Sequence, residues 1–174
     1  MQPFVRSLAD SDKPQLAEHL RAAWGSTRMA TRGRLVEVAE LPGFVAQHQA
    51  EWLGYVAYEE RDGALEIVAL EGVAPGSGTG SALLARCVEE AMARGLARVW
   101  LITTNDNVPA LRFYQRRGFV LVALRPGAVD EARRTLKPEI AEVGLEGIPI
   151  RDEIELELPR SEWAAFVECH KWPS

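Results

Sequence analysis

Apolar residues recur along this chain with two periods, and the switches between them lay out alternating strands and helices. Residues 65–70, Leu-Glu-Ile-Val-Ala-Leu, read as a strand. A glycine-rich turn follows, then a helix whose apolar positions Leu83, Leu84, Cys87, Val88, Ala91 and Met92 share one face. Residues 98–104 form a second buried strand. Beyond it, Pro109 falls in the first turn of a short helix and Gly118 just past its end. Leu111 and Tyr114, with Ala110 and Phe113, form the apolar stripe of that helix, so Arg112, Arg116 and Arg117 point outward and the Tyr114 hydroxyl emerges at the stripe's edge.

The flanking segments extend the pattern. Residues 4–8 predict a first strand, and Asp10 or Ser11 caps a helix running to Trp24. Residues 25–33 read as a loop, with strands over 44–47 and 52–59. After a strand over 119–125, Pro126 and Gly127 break the chain, residues 128–136 predict an added helix, and 138–147 a loop. Ile150, Ile154, Leu156 and Leu158 alternate with Arg151, Glu153, Glu155 and Glu157, which predicts a half-solvated closing strand. Its acidic face either attracts an amine or is simply hydrated.

Chemistry enters with Gly76, Gly78 and Gly80. Three alternate glycines at a helix start leave backbone N–H groups uncovered, and the positive end of the helix dipole favours an anion such as a pyrophosphate. Relief of turn strain explains the same glycines without a ligand. Gly80 is followed by Ser81 and Ala82, so the chain lacks the Gly-Lys-Ser/Thr of a P-loop, and a dinucleotide fingerprint fails at Ser81.

Taken together, G-S-G-T-G at 76–80 and N-V-P-A-L-R-F-Y-Q-R-R-G-F at 107–119 resemble the motifs of the GCN5-related N-acetyltransferases, the GNAT superfamily. The resemblance is carried by residues 65–124, and the order of elements extends it over most of the chain. It implies an α/β fold with a mixed, mainly antiparallel central sheet flanked by helices and splayed between the strands ending near Leu70 and Thr104. It also implies acetyl-CoA as co-substrate. Gly76, Ser77, Gly78, Thr79, Gly80 and Ser81 would hold its pyrophosphate, Asn107 its pantetheine arm, and N–H groups from Leu70 to Gly72 the thioester oxygen. The usual Arg or Gln at the head of the turn is Pro75 here, which has no N–H and removes one phosphate contact.

By the same resemblance Tyr114 protonates the departing thiolate and Glu66 is the general base. A phenol with an ordinary pKa near ~10 is a reasonable donor to a developing thiolate, whose conjugate thiol lies near ~8.5. An inward-facing Glu66 would have its pKa raised by desolvation, while period-two alternation equally places it on a solvated face. Glu71 or water are the substitutes. The expected reaction is direct attack of a primary amine, of a small molecule or peptide, on the acetyl carbonyl. The alternative is a non-catalytic acyl-CoA-binding or sensor module.

The remaining features narrow the class. The 174 residues, 47% hydrophobic, suit one acetyltransferase domain over 1–174 with one sizeable core. A net charge of −5 and the absence of a basic stripe argue against nucleic acid. The pairs Arg116-Arg117 and Arg133-Arg134 fit solvated helix faces, and the first also fits the 3′-phosphate of CoA. Cys87 on the apolar stripe reads as a buried, inert thiol, and Cys169-His170 lacks the second pair that a metal site needs. His19 and His48 read as isolated surface or core residues. No apolar run approaches the ~20 residues of a membrane span, and the N-terminus lacks the core of a signal peptide, so a cytoplasmic location is expected. Homodimers are common among such proteins, which leaves a homodimer open.

Overall fold

The computed structural model describes residues 2–72, 74 and 76–172. Strand β1 (Phe4–Ser7) leads into helix α1 (Lys13–Trp24), and β2 (Arg28–Thr31) and β3 (Arg34–Glu37) pair as a hairpin. Then come β4 (Gly43–His48), β5 (Glu51–Arg61), β6 (Ala64–Gly72), α2 (Thr79–Ala93), β7 (Arg98–Thr104) and α3 (Val108–Gln115). Strand β8 (Val120–Arg125), α4 (Ala128–Thr135), β9 (Glu153–Leu158) and α5 (Trp163–His170) complete the order. The seven-stranded sheet runs β1-β4-β5-β6-β7-β9-β8 and is antiparallel except between β6 and β7.

Each face of the sheet carries its own apolar layer. On one side Leu65, Ile67, Val99 and Leu101 pack against Leu83, Leu84, Cys87 and Val88 of α2, and Phe119 and Phe166 extend that layer toward α5. The side chains of Val45, Tyr55, Ala57 and Ala69 face the other way, against Leu16 and Leu20 of α1. Burial of such side chains stabilises by about 1.5–3 kcal/mol each, so the two layers fix which way every strand residue points. The α2 stripe matches its predicted face except at Met92, which is 47% exposed.

Three expectations are corrected. Residues 25–33 are not a loop: Arg32 and Gly33, both at positive φ, turn the β2–β3 hairpin over the sheet. Helix α1 begins at Lys13, and neither Asp10 nor Ser11 caps it. Instead Asp12 accepts the Ala9 N–H at 2.7 Å and pairs with Arg6 at 2.6 Å. Strand β9 is not half-solvated, because it lies between β7 and β8, with Glu153 and Glu155 each only 4% exposed. Glu155 is bound by Arg98 and Arg125, and Glu157 by Arg98. Carboxylates with guanidinium partners, as Glu155 and Glu157 have, survive burial that unpaired ones would not, while burial raises the pKa of Glu153.

The segment after α4 is pinned rather than free. Arg133, read from the sequence as a hydrated residue, donates to the carbonyls of Ile140, Ala141 and Ile150, each at 2.9 Å. Among the described residues no helix is long and apolar enough to cross a membrane.

Candidate active site

The parallel ladder between β6 and β7 ends at the pair Ile67 and Leu101, although the strands continue to Gly72 and Thr104. A β-bulge lies at the same level. Ala57 faces Ala69 while Tyr58 faces Ile67, so Val68 is an extra residue in β6. Bulges bend the strand that carries them, and here the bend accompanies the separation of β6 from β7. The splay therefore opens where it was expected, between the ends near Leu70 and Thr104.

A cleft of about 840 Å³ occupies the α2 side of this opening. Leu70 and Gly72 form one edge, Gly76 to Gly80 the floor at the start of α2, and Asn107, Tyr114 and Arg117 the far wall. Gly78 caps α2 at φ +84° and Gly76 sits at φ +82°, both in the left-handed region that favours glycine. A Cβ on Gly76 would project into open space, so the turn presents bare backbone to the cleft. Ser77 is held by its own hydroxyl, which donates to the Ala74 carbonyl at 2.8 Å and lies 2.8 Å from the Thr79 hydroxyl. Pro75 lies outside the described residues.

Close approach of neighbouring elements shapes this floor. A Cβ on Gly54 would lie 2.4 Å from the Glu71 carbonyl oxygen and 2.9 Å from Thr79 Cγ2. One on Gly80 would lie 2.9 Å from the Phe113 ring. Only glycine at 54 lets β5 and β6 meet the first residue of α2 at this distance.

Asn107 caps α3, its Oδ1 accepting the Ala110 N–H at 3.2 Å, and it lines the cleft. Tyr114 is 8% exposed and stands edge-on to both Phe113 and Phe119. Burial pushes its phenol well above the ordinary value of 10, so it is a neutral hydroxyl at the cleft wall at physiological pH. Arg117 corrects the outward reading. Its Nε donates to Ser81 Oγ at 2.7 Å, Nη1 donates to the Phe113 carbonyl at 2.9 Å, and the guanidinium lies 3.6 Å from the Phe113 ring centroid. Burial, with Arg116 beside it, lowers its pKa. Arg112 and Arg116 line the same wall.

Glu66 is brought to the opposite face and does not line the cleft. It is 3% exposed, accepting the Thr31 hydroxyl at 2.5 Å on one oxygen and Arg34 at 3.3 Å on the other. Burial raises its pKa, opposed by the Thr31 hydrogen bond and by Arg34. Both partners come from the β2–β3 hairpin, Thr31 from the part expected to be a loop and Arg34 from just beyond it.

Two contributors escaped that reading. His170 lines the cleft with its Nδ1 2.8 Å from the Phe166 carbonyl, and Trp172 lies 3.7 Å from the position of a Cβ on Gly78. Both arrive because Trp163 and Phe166 anchor α5 in the α2-side core, a long-range packing event with no local motif. Cys87 is fully buried and its thiol pKa is pushed up by burial.

The acetyltransferase (GNAT) family model matches residues 6–119, and the chain belongs to that family. It is 42% identical to the uncharacterized protein YdhI of Bacillus subtilis over 143 residues, 82% of this chain and 89% of that protein. It is also 35% identical to a streptothricin acetyltransferase of Streptomyces lavendulae over 104 residues, 56% of this chain and 50% of the relative. Among solved structures, the IAA acetyltransferase of Bacillus cereus superposes with a TM-score of 0.65 at 20% identity, covering 90% of this chain and 99% of that one. A GNAT acetyltransferase of Elizabethkingia anophelis with acetyl-CoA bound has a TM-score of 0.64 at 17% identity, covering 90% of this chain and 97% of its own.

Proposed function

We propose that this protein transfers the acetyl group of acetyl-CoA to a primary amine by direct attack. The observation that carries the reading is one continuous cleft joining the left-handed glycine turn at the start of α2 to Tyr114 across the β6–β7 splay. Family membership and the acetyl-CoA bound by a structural relative support the donor. The uncovered backbone of 76–80 and the Arg116-Arg117 pair suit phosphate groups, and Asn107 suits the amide-rich arm.

In the transfer the free amine attacks the acetyl carbonyl carbon, and N–H groups from Leu70 to Gly72 stabilise charge on its oxygen. The carbon–sulfur bond breaks, Tyr114 gives its hydroxyl proton to the leaving sulfur, and solvent returns a proton to the phenol. The amine's surplus proton leaves on the α1 side of β6. Both Glu66 oxygens are engaged by Thr31 and Arg34, so direct proton transfer to it requires the hairpin to yield. Glu71, between the cleft residues Leu70 and Gly72 and beyond the end of the β6–β7 ladder, is the carboxylate nearer the opening and receives the proton in its place.

The test is calorimetric titration with acetyl-CoA, followed by thiol release over an amine panel for the wild type and Tyr114→Phe. The variant should bind acetyl-CoA as the wild type does while its turnover falls about a hundredfold. Absence of acetyl-CoA binding at millimolar concentration overturns the reading. Binding without thiol release from any amine leaves the alternative of a CoA-binding module.

A further inference from the structure

Helix α5 ends at His170, which lines the cleft together with the glycine turn. A carbonyl oxygen only accepts, so His170 Nδ1, 2.8 Å from the Phe166 carbonyl, carries a proton and donates it. The His170 and Phe166 rings lie 4.5 Å apart, and the two contacts hold the imidazole in one orientation. Nε2 is left without a partner among the described residues. Two residues on, Trp172 packs against the α2-side core and lays its indole on Gly78, with Cζ2 3.7 Å and Nε1 3.9 Å from the position of a Cβ there. The segment that leaves α5 is thereby fixed to the turn that starts α2.

The charge around this part of the cleft is one-sided. Arg112, Arg116 and Arg117 line it with His170, and among the described residues no acidic side chain does. None of these three arginines forms a salt bridge among the described residues, although the chain carries a net charge of −5 and Arg6, Arg34, Arg94, Arg98 and Arg125 each hold a carboxylate. Arg117 is already engaged by Ser81 and the Phe113 carbonyl. A wall of cations without counter-ions, in a chain rich in carboxylates, suits an anionic ligand. Acetyl-CoA brings a pyrophosphate and a 3′-phosphate, and the glycine turn that meets them is headed by Pro75, which has no N–H to offer.

We propose that His170 binds a phosphate group of acetyl-CoA through Nε2–H, and that Trp172 is the positioning residue that holds it in place by packing on Gly78. This role rests on the acetyl-transfer reading of the cleft. In contact with a phosphate oxygen the imidazole carries both protons, so Nδ1–H stays on the Phe166 carbonyl while Nε2–H and the positive charge meet the anion. The end of α5 thus adds a charged hydrogen-bond donor to a turn whose own donors are backbone N–H groups, and it does so from about ninety residues further along the chain than the turn itself.

The full chain is titrated by calorimetry with acetyl-CoA and with acetyl-dephospho-CoA, which lacks the 3′-phosphate, and melting curves verify that each variant is folded. His170→Ala should raise the acetyl-CoA dissociation constant about tenfold. Trp172→Ala should raise it by a similar factor, and Trp172→Phe, which restores an aromatic ring on Gly78, should return it to within about threefold of the wild type. Lys171→Ala removes a neighbouring charge that pairs with Glu168, and should change the constant by less than about twofold. If His170→Ala weakens acetyl-dephospho-CoA equally, the contact is with the pyrophosphate; a loss confined to acetyl-CoA assigns it to the 3′-phosphate. Wild-type affinity in His170→Ala or in Trp172→Ala, or a loss in Lys171→Ala as large as that in His170→Ala, overturns the proposal and leaves the acetyl-transfer reading standing. No binding of acetyl-CoA to the wild type at millimolar concentration overturns both.

Discussion

Glu155→Gln tests whether the acidic face of β9 is a structural element rather than a hydrated surface. The carboxylate is 4% exposed and accepts from both Arg98 and Arg125, whose side chains are 28% and 31% exposed. Breaking a buried ion pair from one side ordinarily costs about 3–5 kcal/mol. Here the arginines reach solvent and recover part of their hydration, and the glutamine still accepts one hydrogen bond, which brings the expected loss to about 2–3 kcal/mol. In a chain of this size that lowers the melting temperature by roughly 5–10 °C. The pH dependence supplies an independent check. Burial alone would raise the Glu155 carboxyl, but Arg98 and Arg125 outweigh it and hold the pKa below its ordinary 4.5. A depressed carboxyl stabilises the fold above its unfolded value and loses that contribution as pH falls through the folded value. Melting curves of the two proteins should therefore lie apart at pH 7 and converge well below pH 4.5. A loss under about 0.5 kcal/mol at pH 7, or a gap that does not change with pH, refutes the reasoning.

Gly54→Ala places a Cβ 2.4 Å from the Glu71 carbonyl oxygen, against backbone that cannot rotate away. Urea unfolding should show a loss near the top of the roughly 1–3 kcal/mol range for overpacking, with weaker acetyl-CoA binding as Thr79 is displaced. Glu66→Gln reports on the hairpin. Because burial raises the Glu66 pKa, its contribution to stability is lost as pH rises through the folded value, so melting curves of the variant and the wild type should draw together as pH rises from below 4.5. Its turnover should stay within about threefold, whereas a fall of about a hundredfold would identify Glu66 as a direct base. Arg117→Ala removes the tie between Ser81 and the Phe113 carbonyl across the cleft and should raise the acetyl-CoA dissociation constant about tenfold, read by calorimetry.

Local patterns carried the fold where one face of an element meets one layer. The α2 stripe is legible because Leu83, Leu84, Cys87 and Val88 all meet the same sheet face, and Met92 falls outside the stripe while its neighbour Ala91 stays buried in it. The α4 helix appears within one residue of its expected end. Strand β9 was misread for a definite reason. Its apolar and acidic residues alternate as they would on a half-solvated strand, and the partners that bury the acidic face, Arg98 on β7 and Arg125 on β8, are distant in sequence. Period reports which residues share a face, but not what covers it. The β2–β3 hairpin was missed because its strands are four residues each and pair only with one another.

The same distinction separates the two sides of the candidate site. The donor side rests on backbone and on contiguous motifs, a glycine turn at a helix start and a tyrosine on a short helix, so it is legible along the chain. The α1 side is assembled by register. Glu71 and Tyr55 meet because Gly54 pairs with Gly72 and Tyr55 with Glu71, and a slip of β6 by one residue would turn Glu71 to the α2 side and leave Tyr55 where it is. The bulge at Val68 restores Ile67 and Leu65 to that core while Ala69 and Glu71 remain on the α1 side. One inserted residue thus sets Glu66 beneath the hairpin and Glu71 beside the splay on a common face, which gives two carboxylates from one strand different surroundings. The carboxylate engaged by Thr31 and Arg34 anchors the hairpin, and the other lies against Tyr55 across the ladder.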